Sequence, residues 1–217
     1  MITELIKHKS VIICGHFGTG KTNISVNIAL SAAGKYKKIY IADLDTVNPY
    51  FRTADNEKLL TSNGVTVLLP QFANTNVDIP SLPPSLPLIF TDECVSVIDV
   101  GGNEEGATVL RGFAERFAET GYDMYYVFNC YRPENVNSEI SLASLRSIEH
   151  ASSLKFTGII NNSNLGAETD KETVKRSVSP AEDFASKAGI PVVLTTAFAN
   201  SAFDGCTVIK DVTKKLF

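Results

Sequence analysis

Residues 11–22, Val-Ile-Ile-Cys-Gly-His-Phe-Gly-Thr-Gly-Lys-Thr, restrict the possible folds of this chain more than any other segment. A short apolar run ends in G-x-x-x-x-G-K-T, and a helix-forming segment follows. Gly15, Gly18 and Gly20 let successive backbone N–H groups converge on one point, a concavity suited to phosphate oxygens. A helix beginning near Lys21 adds the positive end of its dipole. In this arrangement Lys21 reaches the β- and γ-phosphates of a nucleotide, and the Thr22 hydroxyl becomes a ligand for Mg²⁺. The intervening His16, Phe17 and Thr19 complete the loop that wraps the phosphates. The four fixed positions match by chance in roughly one chain in a hundred of this length, and fewer have a strand before and a helix after.

The remaining chain repeats that strand–helix alternation. Gly34, Gly64, Gly121 and Gly189 each follow a helix-like stretch and precede an apolar run, as a glycine just past a helix end does. The runs at 38–42, 65–69, 124–128 and 191–194 join those at 11–14, 95–100 and 156–160 as strands. They are continuous in apolar residues rather than alternating, so both faces are covered. Leu110, Phe113, Ala114 and Phe117 follow the spacing of one amphipathic helix, and Ile140, Leu145 and Ile148 mark the apolar face of another. The expected fold is a three-layer, doubly wound α/β domain over 1–217 with a mostly parallel sheet. The region 74–88, with Pro80, Pro83, Pro84 and Pro87, reads as a connecting surface loop, with a partner-facing apolar patch as the alternative.

Two acidic clusters complete a phosphate site. The run 95–99 is an apolar strand ending in Asp99, the Walker B arrangement that holds a metal's water shell. Asp99-Val100-Gly101-Gly102 then forms D-x-x-G, in which the Gly102 N–H could sense a γ-phosphate. The strand 39–42 ends in Asp43-Leu44-Asp45-Thr46, which puts Asp43 and Asp45 at the ligand side of the sheet. One of this pair could position an attacking water while the other braces the loop.

Charge and cysteine usage exclude other classes. Twenty basic against twenty-four acidic residues leave a net charge of -4, and no Lys or Arg occurs between Lys58 and Arg111. That balance argues against nucleic acid as a partner, because such binding depends on neutralising phosphates. Cys14, Cys94, Cys130 and Cys206 are scattered without metal-ligand spacing, as expected of small buried hydrophobes in a reducing compartment. The N-terminal segment has no apolar run long enough for a leader or span, so a cytoplasmic protein is expected.

The order P-loop, Asp43–Asp45, Asp99–Gly102 resembles the MinD/ParA-like branch of P-loop ATPases, of the SIMIBI class, over nearly the whole chain. The resemblance implies ATP and Mg²⁺ as cofactors, Thr22 and Asp99 as metal ligands, and Lys21, Asp43 and Asp45 as the hydrolytic residues. It also implies switch segments at Asp43–Thr46 and Asp99–Gly106 and a homodimer or a protein client, and turnover without a partner is expected to be slow because the sequence shows no certain cationic finger. The run Gly158-Ile-Ile-Asn161-Asn162-Ser163 looks like the segment whose asparagine reads the purine, with Asn162 in register and Asn161 the alternative. No N-K-x-D guanine motif is present, which favours ATP over GTP. Two positions depart from the family pattern: His16 replaces the signature lysine after the first glycine, and Gly106 stands where the iron-protein relatives carry a cluster cysteine. A C-terminal helix built on Val208, Ile209, Val212, Leu216 and Phe217, with Lys210, Lys214 and Lys215, is expected to pack on the sheet rather than bind a membrane. The alternatives are a small-molecule kinase or ligase resembling dethiobiotin synthetase, and a metallochaperone-like GTPase.

Overall fold

The computed structural model describes residues 1–45, 53–69, 83–91 and 93–212, the side chain of residue 54 excepted. The chain runs β1 (Ser10–Cys14), α1 (Lys21–Ala32), β2 (Lys38–Leu44), α2 (Glu57–Ser62), β3 (Val65–Leu68) and β4 (Cys94–Val100). It continues through α3 (Glu104–Arg111), α4 (Ala114–Thr120), β5 (Tyr122–Phe128), α5 (Ser138–Ser152) and β6 (Gly158–Asn161). Then follow α6 (Lys171–Arg176), α7 (Val178–Ala188), β7 (Val192–Ala197) and β8 (Thr207–Val208). The strands form one eight-stranded sheet in the order β3-β2-β4-β1-β5-β6-β7-β8. Every pair is parallel.

From the central β1 the chain moves outward to β2, returns to β4, and crosses to β5 on the other side. That reversal opens a crevice beyond the carboxyl ends of β1 and its neighbours, where an open parallel sheet binds ligands. Register brings Asp43 at the end of β2 directly beside Asp99 on β4. The continuous apolar runs have a plain cause. Ile12 and Cys14 pack with Leu110, Leu145 and Phe184 on one face, while Val11 and Ile13 pack with Ile24, Ile28 and Leu5 on the other.

Four features differ from the sequence expectation. The helix spanning Leu110 to Phe117 is two helices, α3 and α4, joined at Gly112 and Phe113. Glycine weakens a continuous helix by about 1 kcal/mol, and the break lets Phe113 and Phe117 both contact Phe90, with ring centroids 5.9 and 4.9 Å away. Ile140 does not share the buried face of Leu145 and Ile148; it is 51% exposed on the wall of a surface cleft. The end of the proline-rich region is a 3-10 turn, Leu86–Phe90, that buries Leu86 and Ile89, so it is core rather than surface loop. Residues 74–82 of that region lie outside the described residues.

The fourth difference lies in residues 207–212, which form β8 and a non-helical stretch after it instead of a helix. β8 pairs in parallel with β7, and residues 209–212 continue along α1. α1 explains this outcome: it is buried on nearly all sides, including Asn23, Ser25 and Asn27. Buried amides require partners, and an extended backbone supplies them where a helix could not. Asn27 Nδ2 donates to the Lys210 carbonyl and Asn27 Oδ1 accepts from the Lys210 N–H, both at 2.9 Å. Asn23 Oδ1 accepts from the Val212 N–H at 2.9 Å. Lys214, Lys215, Leu216 and Phe217 lie outside the described residues. Asn27→Ala is expected to lower the unfolding free energy in urea by about 2 kcal/mol, through two lost bonds and the backbone groups they leave behind. A loss within about 0.3 kcal/mol would show that water serves the Lys210 backbone equally well.

Among the described residues no helix is long and apolar enough to cross a membrane. The four cysteines are unbridged, with Cys14 and Cys94 buried and Cys130 and Cys206 half-buried.

Candidate functional site

The loop between β1 and α1 is fixed by its own hydrogen bonds. The His16 carbonyl accepts from the Thr19 hydroxyl at 2.8 Å and from Lys21 Nζ at 3.2 Å. Gly15, Gly18 and Gly20 have φ of +139°, +72° and +90°. At Gly20 the left-handed backbone begins α1, and a Cβ there would overlap the Asn162 amide nitrogen, so only glycine fits. Gly15 backs onto the β5 backbone at Val127, and the Gly18 carbonyl accepts from Arg132 Nε at 2.8 Å.

Lys21 is only 6% exposed, and its ammonium lies 5.5 Å from the Phe17 ring centroid. Burial lowers its pKa, while the charges of Asp99 and Asp45 act in the opposite sense. Asp99 accepts from the hydroxyls of Ser25 and Thr53, each at 3.2 Å, and is also hydrogen-bonded by Thr22. Burial pushes its carboxyl up to about 6, with Lys21 and these hydroxyls opposing the shift. Asp43 is pushed up to about 8, first by burial and then by the charge of Asp99 beside it. Its two oxygens accept from the backbone N–H groups of Asp45 and Thr53, at 3.0 and 3.1 Å. Asp43 thus braces the chain on both sides of residues 46–52, while Asp45 lines the open cleft. Thr46 itself lies outside the described residues.

The segment after β4 touches the first loop. A Cβ on Gly102 would lie 2.9 Å from the Phe17 ring and its backbone nitrogen, so the two segments are in close contact and leave no room for a side chain at this position. Asn103 caps α3 by accepting from the Gly106 N–H at 3.0 Å. Gly106 packs against Gly101, and a Cβ there would come within 2.8 Å of the Gly101 Cα. The glycine at the cysteine position is therefore a packing requirement here. His16 is half-buried, edge-on to Phe17, with Nδ1 3.9 Å from Glu134 Oε2.

A cleft of about 230 Å³ opens from this loop. It is lined by Gly18, Gly20, Lys21, Thr22 and Asp45 of the loop and its neighbour strand, and by Asn162, Asn164, Phe198 and Asp211 from later in the chain. Asn162 is in the wall, as the sequence indicates, but its amide is engaged. Its Nδ2 donates to the Thr19 carbonyl at 2.8 Å and its Oδ1 accepts from the Thr196 hydroxyl at 2.6 Å. Asn161, on the opposite face of β6, is bonded to Ser177 and Ser163 and does not line the cleft. Sequence motifs do not mark Ser25, Thr53, Arg132, Phe198 or Asp211. Only Ser25 carries a readable signal, lying one helical turn beyond Thr22 on α1.

The donors fit a small hard cation shared with phosphate. Thr22 and Asp99 offer a hydroxyl and a carboxylate, and a cation there would favour the ionised form of Asp99 that burial disfavours. Among the described residues no cluster of three or more His, Cys, Asp or Glu side chains is arranged to hold a metal alone. That suits Mg²⁺, which keeps waters and phosphate oxygens among its ligands.

The sheet order and the loop define a three-layer α/β fold of the P-loop NTPase type. No family model and no curated protein matches the chain. Among solved structures it is similar to the cell division protein FtsY of Thermotoga maritima, with TM-score 0.58 and 17% identity over 94% of this chain and 71% of that one. FtsY of Mycoplasma mycoides gives 0.53 and 17%, over 92% and 65%. The signal recognition particle receptor FtsY of Elizabethkingia anophelis, solved in complex with GDP, gives 0.53 and 11%, over 96% and 67%. The chain spans about two thirds of the length of these proteins, and the likeness is one of fold.

Proposed function

We propose that this chain is a Mg²⁺-dependent nucleoside-triphosphate hydrolase of the MinD/ParA-like kind, serving as a nucleotide-controlled switch for a protein partner or a second copy of itself. The observation that carries this reading is the ready-formed loop: a buried Lys21 beside Asp99, at the mouth of a cleft lined by Gly18, Gly20, Thr22 and Asp45. The loop N–H groups and Lys21 hold the phosphates and stabilise charge spreading onto the γ-phosphoryl oxygens. Asp45, facing the cleft, orients the attacking water, while Asp43 holds Asp45 in place through its backbone N–H. The water oxygen bonds to the γ-phosphorus as the bridge to the β-phosphate breaks, and the water proton leaves to phosphate or solvent. Thr22 and Asp99 would hold Mg²⁺, which when bound neutralises phosphate charge. Gly102 packed on Phe17 relays the state of the loop to α3. The half-buried His16 is not a fixed cation, so turnover without a partner is slow.

The test is phosphate release and size-exclusion elution with ATP, GTP, ADP or no nucleotide. Thr22→Ala is expected to reduce Mg²⁺-dependent release by about 10- to 100-fold. Unchanged release would overturn the metal assignment. A second reading, phosphoryl transfer to a small molecule, is favoured by a cleft of about 450 Å³ on the other side of His16 and Gly102, lined also by Glu104, Glu134 and Ser147. Nucleotide consumption only with an added metabolite, without any nucleotide-dependent change in elution, would select it.

A further inference from the structure

We propose that Thr53 is a positioning residue that aims the Asp99 carboxylate and thereby sets the affinity of the site for Mg²⁺. This rests on the nucleotide and metal reading above and adds a residue that no sequence motif marks. Thr53 opens a short 3-10 turn, Thr53–Asn56, and is fully buried. Both of its hydrogen-bond donors are directed at carboxylates. Its N–H donates to Asp43 Oδ2 at 3.1 Å, and its hydroxyl donates to Asp99 Oδ2 at 3.2 Å. Those carboxylates stand side by side because β2 and β4 pair in parallel with Asp43 opposite Asp99. One residue therefore ties the ends of two strands together, 10 positions from the first aspartate and 46 from the second.

From the other side Ser25 on α1 donates to Asp99 Oδ1 at 3.2 Å. Each oxygen of Asp99 thus receives a hydroxyl from a different element, which fixes the plane of the carboxylate. Mg²⁺ demands near-ideal octahedral geometry, so a carboxylate that serves it gains from being held in one orientation. A hydroxyl orients the carboxylate without neutralising it, which a lysine or arginine in its place would do. One bond per oxygen also leaves acceptor capacity for a cation or its waters. The methyl branch of threonine restricts χ1, so the direction of the hydroxyl follows from the packed backbone. The same residue joins the metal ligand to the residue that orients water. The Asp45 N–H donates to Asp43 Oδ1 at 3.0 Å, the Thr53 N–H donates to the other Asp43 oxygen, and the Thr53 hydroxyl reaches Asp99. A bonded path runs from Asp45 in the cleft to Asp99, and Thr53 is the link that can be cut without changing a charge.

The test is titration of Mg²⁺ into the whole chain with a fluorescent ATP or GTP analogue, for wild type, Thr53→Val, Thr53→Ala and Thr53→Ser, with a thermal melt of each. Valine keeps the shape and the N–H and removes only the hydroxyl. Thr53→Val and Thr53→Ala are expected to raise the Mg²⁺ concentration for half the full response by about 10- to 100-fold. Nucleotide affinity in EDTA is expected to stay within about threefold of wild type, and Thr53→Ser is expected to keep the Mg²⁺ midpoint within about threefold. A hydroxyl that only satisfies a buried acid would lower the melting temperature of Thr53→Val and leave the Mg²⁺ midpoint where it was, and that result overturns the proposal. So does a serine variant that shifts as far as valine. Failure of both Thr53→Val and Thr53→Ala to fold would make the hydroxyl a structural requirement and overturn it as well. A wild type that binds no nucleotide, or binds it without responding to Mg²⁺, would instead refute the nucleotide or metal reading itself, and this assignment with it.

Discussion

Lys21→Ala is expected to weaken nucleotide binding by at least about 100-fold, the largest single effect of any substitution in this chain. The ammonium sits in a nearly dry position, where a charge-assisted bond to a phosphate oxygen is far stronger than at a surface. Its removal also changes the protein without nucleotide. Asp99 loses the cation whose charge lowers its pKa, and Asp45 loses a neighbouring positive charge. Deleting one side of a buried charge arrangement costs about 3–5 kcal/mol when the remaining charge cannot escape. Here it can escape by protonation, because Asp99 already titrates near 6 and loses its main downward influence. The penalty in thermal stability is therefore expected to be larger at about pH 8 than at about pH 6. Lys21→Met, which keeps most of the side-chain volume, separates lost charge from lost packing: it is expected to match alanine in affinity and exceed it in stability. Affinity within about threefold of wild type, by fluorescent-nucleotide titration, would remove Lys21 from the phosphate site.

The contrast between Lys21 and Asp211 shows which parts of the site were legible in the sequence. The loop and the two aspartate clusters follow strands whose apolar runs are unmistakable, and their chemistry needs fixed spacing along the chain. Each therefore appears as a local pattern, and parallel register then brings Asp43 beside Asp99. The remaining lining of the cleft obeys no such spacing. Arg132, Phe198 and Asp211 meet the loop only because β5, β7 and the segment after β8 end at the same edge of the sheet. The C-terminal error has the same origin. Val208, Ile209 and Val212 have helix-like spacing, but the buried asparagines of α1 require backbone partners that only an extended chain provides. The break between α3 and α4 was hidden because Leu110 and Phe117 remain buried on either side of it. Periodicity records which residues are inside without recording whether one helix or two carries them.

Raising the pH from about 5 to about 8 is expected to destabilise the nucleotide-free protein, the reverse of what paired surface carboxylates would do. Asp43 titrates near 8 and Asp99 near 6 in the folded chain, against an ordinary 3.8 for each. Between these values the folded state binds more protons than the unfolded one, so stability falls as pH rises. The contribution is complete below about pH 4 and is lost as pH climbs through 6 and then 8. Each proton of difference corresponds to about 1.4 kcal/mol per pH unit, and near pH 6, with Asp43 protonated and Asp99 half protonated in the folded chain, a slope of about 2 kcal/mol per unit is expected. Glu149, whose pKa is lowered mainly by bonds from Arg146 and Lys155 that outweigh its burial, acts in the opposite sense but below about pH 4.5. Stability should therefore peak near the acidic end of this window. Asp43→Asn removes the higher-titrating group and keeps one of its two acceptor oxygens, so it is expected to flatten the slope between about pH 6 and 8 whatever it does to stability at pH 5. Mg²⁺ with nucleotide is expected to add more stability at pH 8 than at pH 6, because it selects the ionised Asp99. Chemical denaturation across this range checks each point. A wild-type stability that is flat or rising, or an Asp43→Asn variant with an unchanged slope, would mean that the two carboxylates share solvent and are not held against each other in a dry site.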